Sequence, residues 1–390
     1  MPTNRSIARR LRLGAIALVA ISLARPQATR AELCLPSLAE GGRRLHEMPA
    51  PSVFWLELLL RQHEACWTAN EPHDRLRVFL YGNSAVVGHP EPVEDTAAAH
   101  LDALWKSSQL PAHVFNFGFV TGHAMKDMLI VHESLRYRPD VIVYGSIPND
   151  FSRYVAARFR RLRAGPQFHL TRFMRNSASA LVAFEAEHPA GLEQPLGRYR
   201  RQLADVAPHS WWRPWTWPVQ DVLAFVYTAL ARRLQPLGER LGIVAPPGEP
   251  RSGPIAGPYR CSDTHRRNAR DFNGFGHTNT LAYLAELRDR TGIPVVAVQW
   301  PIAHEPSGAC YNSYATNQLV SAYRAWITAE AERLGLPLID LSQTLLPRDF
   351  LDTLHPNARG QRKIAYALAP FLDPVLRKRA AEVLPPTEPH

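Results

Sequence analysis

Five short apolar runs, each closed by small or polar residues, constrain the fold of this chain more than any other feature. Arg77–Tyr81 runs into Gly82, His113–Phe117 into Gly118 and Val141–Tyr144 into Gly145; Pro294–Trp300 and Pro337–Leu341 follow downstream. Their length and β-branched or aromatic content predict buried strands. Helical spacing lies between them, from about Ala124 to Arg136 (closed by Pro139), near 278–290 and near 314–334, with a last helix from about Asn357. Strands alternating with helices imply an α/β fold, a parallel sheet covered on both faces. In such sheets ligands bind beyond the carboxyl ends of the strands, so the polar residues there are the ones to inspect.

Composition narrows the class. The chain of 390 residues is 46% hydrophobic, enough for a full core and against a mainly disordered chain. No apolar run approaches the length of a spanning helix, which argues against a polytopic membrane protein. The formal charge of +10 does not point to nucleic acid. Six Arg and no acid fall in residues 1–31, and removing that segment lowers the charge to +4. Of the 45 basic residues 41 are Arg, which reads as a compositional bias; no zinc-finger spacing, RNP motif or Gly-rich phosphate loop accompanies them.

Residues 1–31 have the layout of an export signal. Arg9, Arg10 and Arg12 precede the apolar stretch Leu13–Ala24, and Ala28–Ala31 offers small residues for cleavage. The expectation is a periplasmic or secreted protein, with an uncleaved N-terminal anchor as the other option. Four cysteines fit that compartment. Cys34–Cys66 and Cys261–Cys310 are the sequence-nearest of three possible pairings. Cys261, Asp263, His265, His304 and Cys310 are all metal-ligand types, but their spacing matches no zinc pattern. Neither a metal nor another cofactor is expected.

Two segments carry candidate chemistry. Gly82-Asn83-Ser84 follows the first strand directly, on a tight turn that would expose a hydroxyl at the sheet edge. A nucleophilic Ser needs that access, a nearby base and backbone N–H donors for an oxyanion; a Ser so placed also serves as a plain helix N-cap. Far downstream stands Asp352-Thr353-Leu354-His355. An Asp three residues before a His can hold the imidazole Nδ1–H and leave Nε2 as a base. The same spacing also suits an ordinary loop.

Four blocks in order resemble the SGNH/GDSL hydrolase family. Gly82-Asn83-Ser84 is similar to its nucleophile block, with Asn where Asp is usual. Asn116 to Gly122 resembles the second block, one residue longer than the usual NxGxxG, and Gly145 to Asp150 the third, with two extra residues before Asn149. The run from Asp352 to Gly360 resembles the last. The likeness covers about 76–150 and 277–375. It implies a flavodoxin-like three-layer α/β/α fold with a five-stranded parallel sheet, and a Ser84–His355–Asp352 triad. It further implies an oxyanion hole from the Ser84 N–H, the Asn149 side chain and a second-block glycine, Gly122 by position in the motif, with Gly118 as the alternative. The exchange at Asn83 touches no triad residue.

The organisation expected is a signal peptide at 1–31, a lead-in at 32–75 and a hydrolase domain at 76–150 and 276–378. A mainly helical insertion spans 151–275. It leaves the third strand at the same edge as Ser84, which suits a lid. Seven Arg and no acid lie between Phe151 and Arg175, and Trp211, Trp212, Trp215 and Trp217 cluster beyond them. Both features read either as ordinary surface and core or as contacts to an anionic glycan or a membrane surface. The expected activity is that of an exported serine esterase acting on small-molecule, carbohydrate or lipid esters. An O-acyltransferase with the same triad and a non-catalytic glycan-binding scaffold are the alternatives.

Overall fold

The computed structural model describes residues 75–119, 124–151, 280–304 and 317–384. The signal, the lead-in, Gly122, the insertion and all four cysteines lie outside them. Of the metal-ligand types, His304 alone is described. Among the described residues no helix is long and apolar enough to cross a membrane.

Among the described residues five strands form one sheet: β1 (Leu76–Tyr81), β2 (Ala112–Asn116), β3 (Val141–Ser146), β4 (Val295–Gln299) and β5 (Leu338–Asp340). Their order is β2-β1-β3-β4-β5 and every neighbouring pair is parallel. Each predicted run is a strand, with ends shifted by one or two residues: β3 runs on through Gly145 to Ser146, and Pro294, Trp300, Pro337 and Leu341 fall outside β4 and β5. The helices are α1 (Ser84–Val87), α2 (Ala97–Ser107), α3 (Ala124–Ser134), α4 (Pro148–Phe151), α5 (Thr280–Thr291), α6 (Asn317–Arg333) and α7 (Ala358–Val383).

Period-two alternation in the strands builds the three layers. Phe79, Tyr81, Ile142, Tyr144 and Ala297 face one way and pack with Leu129 of α3, Leu284 of α5 and Ile327 of α6. Val78, Leu80, Val143, Val296 and Val298 face the other way, toward Leu101 and Trp105 of α2 and Ile364, Leu368 and Leu372 of α7. Because both faces are covered, the strands carry no polar alternation and read as continuous apolar runs.

Helix α2 lies where the sequence reading placed no helix. Thr96 caps it by accepting from Ala99 N (3.3 Å), and Ala97, Ala98, Leu101 and Trp105 form its buried stripe. Asp102 Oδ1 accepts from Val114 N at 2.6 Å, and Trp105 Nε1 donates to Asp373 Oδ1 at 2.9 Å. Helix α2 is thereby tied to β2 on one side and α7 on the other.

The order places β1 and β3 side by side while their crossovers leave to opposite ends of the sheet. That is a topological switch point, and the crevice it opens lies beyond the carboxyl ends of these two strands. Ser84 follows β1 and Pro148 follows β3. Leu368 is fully buried at the α7–sheet interface. Leu368→Ala should cost about 2–5 kcal/mol, read as a lower urea midpoint with an unchanged slope.

Candidate active site

The turn after β1 is built to present a single hydroxyl. Gly82 has φ +150, and a Cβ there would stand 2.4 Å from the Gly145 carbonyl oxygen, so only glycine lets β1 and β3 close together before the chain turns. Asn83 is extended and buried, and caps α1. Its Oδ1 accepts from Ala85 N at 2.9 Å, and its carbonyl accepts from Val86 N and Val87 N at 3.1 and 3.0 Å. The first-turn donor that Asn83 leaves over is the N–H of Ser84 itself. Asn83 Nδ2 donates to Asp150 Oδ2 at 2.8 Å, and that oxygen also accepts from Ile147 N at 2.9 Å. An amide at position 83 can donate to the Asp150 carboxylate; a second carboxylate could do so only when protonated. The exchange of the family's Asp for Asn83 therefore has a partner at the end of β3.

The second half of the site is a small closed loop in front of α7. Phe350 and Pro356 form an antiparallel bridge, Leu351 N donates to His355 O at 2.8 Å and Asn357 N to Asp349 O at 2.9 Å. Asn357 then caps α7 by accepting from Gly360 N at 3.0 Å. At the loop base Asp349 is wholly buried. Its carboxylate accepts from Leu346 N at 2.9 Å and from Lys363 Nζ, and lies 3.2 Å from Arg359 Nε. Burial opposes ionisation of Asp349, but the Lys363 hydrogen bond, the Leu346 N–H and the charges of Lys363 and Arg359 outweigh it and hold the carboxyl below its ordinary range.

The loop carries Asp352 and His355 on one turn. Asp352 Oδ1 accepts from Leu354 N at 2.7 Å and from His355 N at 2.8 Å. Its Oδ2 lies 2.7 Å from His355 Nδ1. Desolvation opposes ionisation of Asp352; the hydrogen bond and charge of His355 and the two backbone donors override it and lower its pKa. On the far side of the ring, His355 Nε2 lies 2.9 Å from Ser84 Oγ, across 271 residues of sequence. With the proton on Nδ1, the ring donates to Asp352 and accepts from the Ser84 hydroxyl. The exposed His89 meets His355 edge-to-face, with ring centroids 6.0 Å apart.

The structure thus brings Ser84, His355 and Asp352 into one hydrogen-bonded line. Asn149 lies in α4 at the carboxyl end of β3; its side chain is outside the described set. Gly118 directly follows β2 and Phe117. Its N–H already donates to Asn116 Oδ1 at 3.0 Å, and a Cβ would stand 2.8 Å from Val87 N. Gly118 packs closely behind α1, with its N–H turned to Asn116; Gly122, the other second-block glycine, lies outside the described residues. Asp150 and Asp349 had no assigned role in the sequence reading. The pairing of Asn with Asp in the first and third blocks signals the former; nothing local signals the latter.

A folded-state pKa below the unfolded value means that Asp349 stabilises the fold above about pH 3.8, the ordinary carboxylate value, and loses that contribution as pH falls through its lower folded pKa. Lys363→Met removes its nearest cation. It should cost roughly 2 kcal/mol at pH 7, and acid unfolding followed by circular dichroism should begin at a higher pH than in the parent protein.

Comparison with known proteins gives a family match. The family model of the GDSL-like Lipase/Acylhydrolase family matches residues 80–363. Solved structures similar to this chain include a carbohydrate acetylesterase family member from Sinorhizobium meliloti, 14% identical, covering 77% of this chain and 99% of its own, with a TM-score of 0.35. The psychrotrophic esterase EstA from Pseudoalteromonas sp. is 10% identical, with coverage of 77% and 98% and a TM-score of 0.34. A GDSL-like lipase from Bacteroides thetaiotaomicron is 11% identical, with coverage of 82% and 97% and a TM-score of 0.34. No curated protein matches in sequence. The family match spans well over half of the 390 residues and runs from the end of β1 into α7, so this chain belongs to the GDSL-like lipase/acylhydrolase family and is a hydrolase of ester bonds.

Proposed function

We propose that the chain is an exported serine esterase that cleaves O-acyl groups by a two-step acyl-enzyme mechanism, on a carbohydrate or lipid ester. The observation that carries the mechanism is the line of contacts in which His355 Nε2 lies 2.9 Å from Ser84 Oγ and Nδ1 lies 2.7 Å from Asp352 Oδ2. Ser84 Oγ attacks the ester carbonyl carbon while its proton passes to His355 Nε2. The carbonyl π electrons move onto oxygen, and the resulting oxyanion is met by the N–H of Ser84, the N–H of Gly122 and the Asn149 side chain. Each such donor is typically worth about 2.7–4 kcal/mol in the transition state. Collapse breaks the bond to the alcohol, which leaves with the proton from His355 Nε2. Water, deprotonated by the same nitrogen, then releases the acid and restores the Ser84 hydroxyl.

Export rests on the arrangement of residues 1–31. The substrate class rests on the family and on the Arg- and Trp-rich insertion that departs after α4, at the edge where Ser84 stands. In this reading the insertion selects the substrate and makes any peripheral contact with glycan or membrane, while the triad does the chemistry.

Ser84→Ala should abolish turnover of p-nitrophenyl acetate and labelling by a fluorophosphonate probe, with the circular dichroism spectrum unchanged. His355→Ala should lose nearly as much activity, because triad members act as a unit, and Asp352→Asn should lose no more than His355→Ala. Undiminished labelling of Ser84→Ala would place the nucleophile elsewhere. Separately, replacing Trp211, Trp212, Trp215 or Trp217 by Ala should damage hydrolysis of acetylated xylan more than that of p-nitrophenyl acetate. Equal losses on both substrates would make the cluster structural.

A further inference from the structure

We propose that Gln361 is a positioning residue for catalysis, a brace whose buried side-chain amide sets the distance between Ser84 and His355. The inference rests on the triad reading above and adds a residue that touches neither substrate nor triad side chain.

Gln361 lies in the first turn of α7 and is wholly buried. Its own N–H donates to Asn357 O at 2.8 Å, so it belongs to the same rigid turn that Asn357 caps, six residues after His355. Its side chain leaves this turn and reaches two other helices. Nε2 donates to the carbonyl of Ala85 at 3.3 Å, and Oε1 accepts from Ala97 N at 3.1 Å.

Both partners are backbone groups that helix geometry leaves unpaired. In α1 the N–H of His89, which would bond Ala85 O if the helix ran on, donates to Ser84 O instead, at 3.1 Å. The chain turns away at Gly88, which has φ +77. The Ala85 carbonyl is thus a helix-end acceptor buried against α7. At the start of α2, Thr96 Oγ1 takes the N–H of Ala99 and Thr96 O takes that of His100, which leaves the first amide, Ala97 N, for Gln361. One primary amide supplies the donor that one helix lacks and the acceptor that another lacks. The fit is tight. A Cβ at Gly88 would stand 2.6 Å from Thr96 Cγ2 and 3.6 Å from Gln361 Cδ, so the loop between α1 and α2 is closed down over the amide.

The functional consequence follows from which helices are joined. Ser84 is the first residue of α1 and Ala85 is its neighbour; His355 is held by the loop that ends in the cap of α7. The Gln361 bond to Ala85 O is therefore a direct hydrogen bond between the nucleophile's helix and the helix that anchors the base, made away from solvent. A displacement of about 1 Å between reacting groups is enough to cost on the order of 100-fold in rate, and this bond resists that displacement.

The test separates bracing from mere stabilisation. Wild type, Ser84→Ala, Gln361→Met and Gln361→Glu are titrated with a fluorophosphonate probe, which counts competent sites, and the labelling rate per titrated site is measured alongside kcat and KM for p-nitrophenyl acetate. Met keeps the length of Gln and loses both bonds. Glu keeps the acceptor for Ala97 N and replaces the donor to Ala85 O with a carboxylate oxygen. Both variants should label roughly 10- to 100-fold more slowly per titrated site, with kcat falling and KM little changed. Because rates refer only to sites that titrate, partial unfolding of Gln361→Met does not hide the effect. A wild-type rate per site in Gln361→Met, whether or not fewer sites titrate, or in Gln361→Glu at a pH where its carboxyl is ionised, would overturn the brace and leave Gln361 as a cap of α2. Labelling that persists in Ser84→Ala would instead overturn the triad reading itself.

Discussion

In a parallel sheet every strand ends at the same edge, and at only one place in this order do neighbouring strands send their chains to opposite sides. That place lies between β1 and β3, and the placement of Ser84, Asn83, Asp150 and α4 follows from it. Elsewhere the strands are covered by helices on both faces and their residues are committed to packing. Gly82 and Gly145 belong to the same constraint, since the two strands approach so closely there that side chains at these positions would collide with the Gly145 carbonyl or with Trp300.

Each half of the candidate site is oriented by a buried aspartate that lies outside the line from Ser84 to Asp352. Asp150 holds the amide of Asn83, and so the cap of α1. Asp349 holds the base of the His355 loop through Lys363, Arg359 and the Leu346 amide. A buried charge is costly unless donors surround it, and here those donors are the groups that must be kept in place. Asp352 differs. Its side chain is 55% exposed, so water screens its field. Its firmest structural effect is geometric: one oxygen gathers the Leu354 and His355 amides and the other aims the imidazole.

Much of this was legible before any coordinates. The strands could be read because two-sided burial makes them continuously apolar, and Ser84, Asp352 and His355 because each stands in a short motif of unusual composition. Helix α2 escaped notice because its first turn, Ala97-Ala98-Ala99, offers little contrast between faces; the Thr96 cap and the spacing of Leu101 and Trp105 were its signals. Asn83 looked incidental because its partner lies 67 residues away. Spacing alone does not show where the Gly118 amide points; in the fold it meets the Asn116 side chain.

The placement of His355 in front of α7 also orders events during synthesis. A nascent chain that has emerged through β4 already contains Ser84 and most of the sheet, yet it has neither the imidazole nor the surface against which the His355 loop closes. Helix α7 runs from Ala358 to Val383 and buries Ile364, Leu368, Leu372 and Leu376 along its length, so the loop is secured only when this long element docks beside α2. The line of contacts from Ser84 through His355 to Asp352 therefore closes only after α7 has been made. A chain cut before the His355 loop keeps the Ser84 turn but lacks the contact that His355 Nε2 makes with Ser84 Oγ.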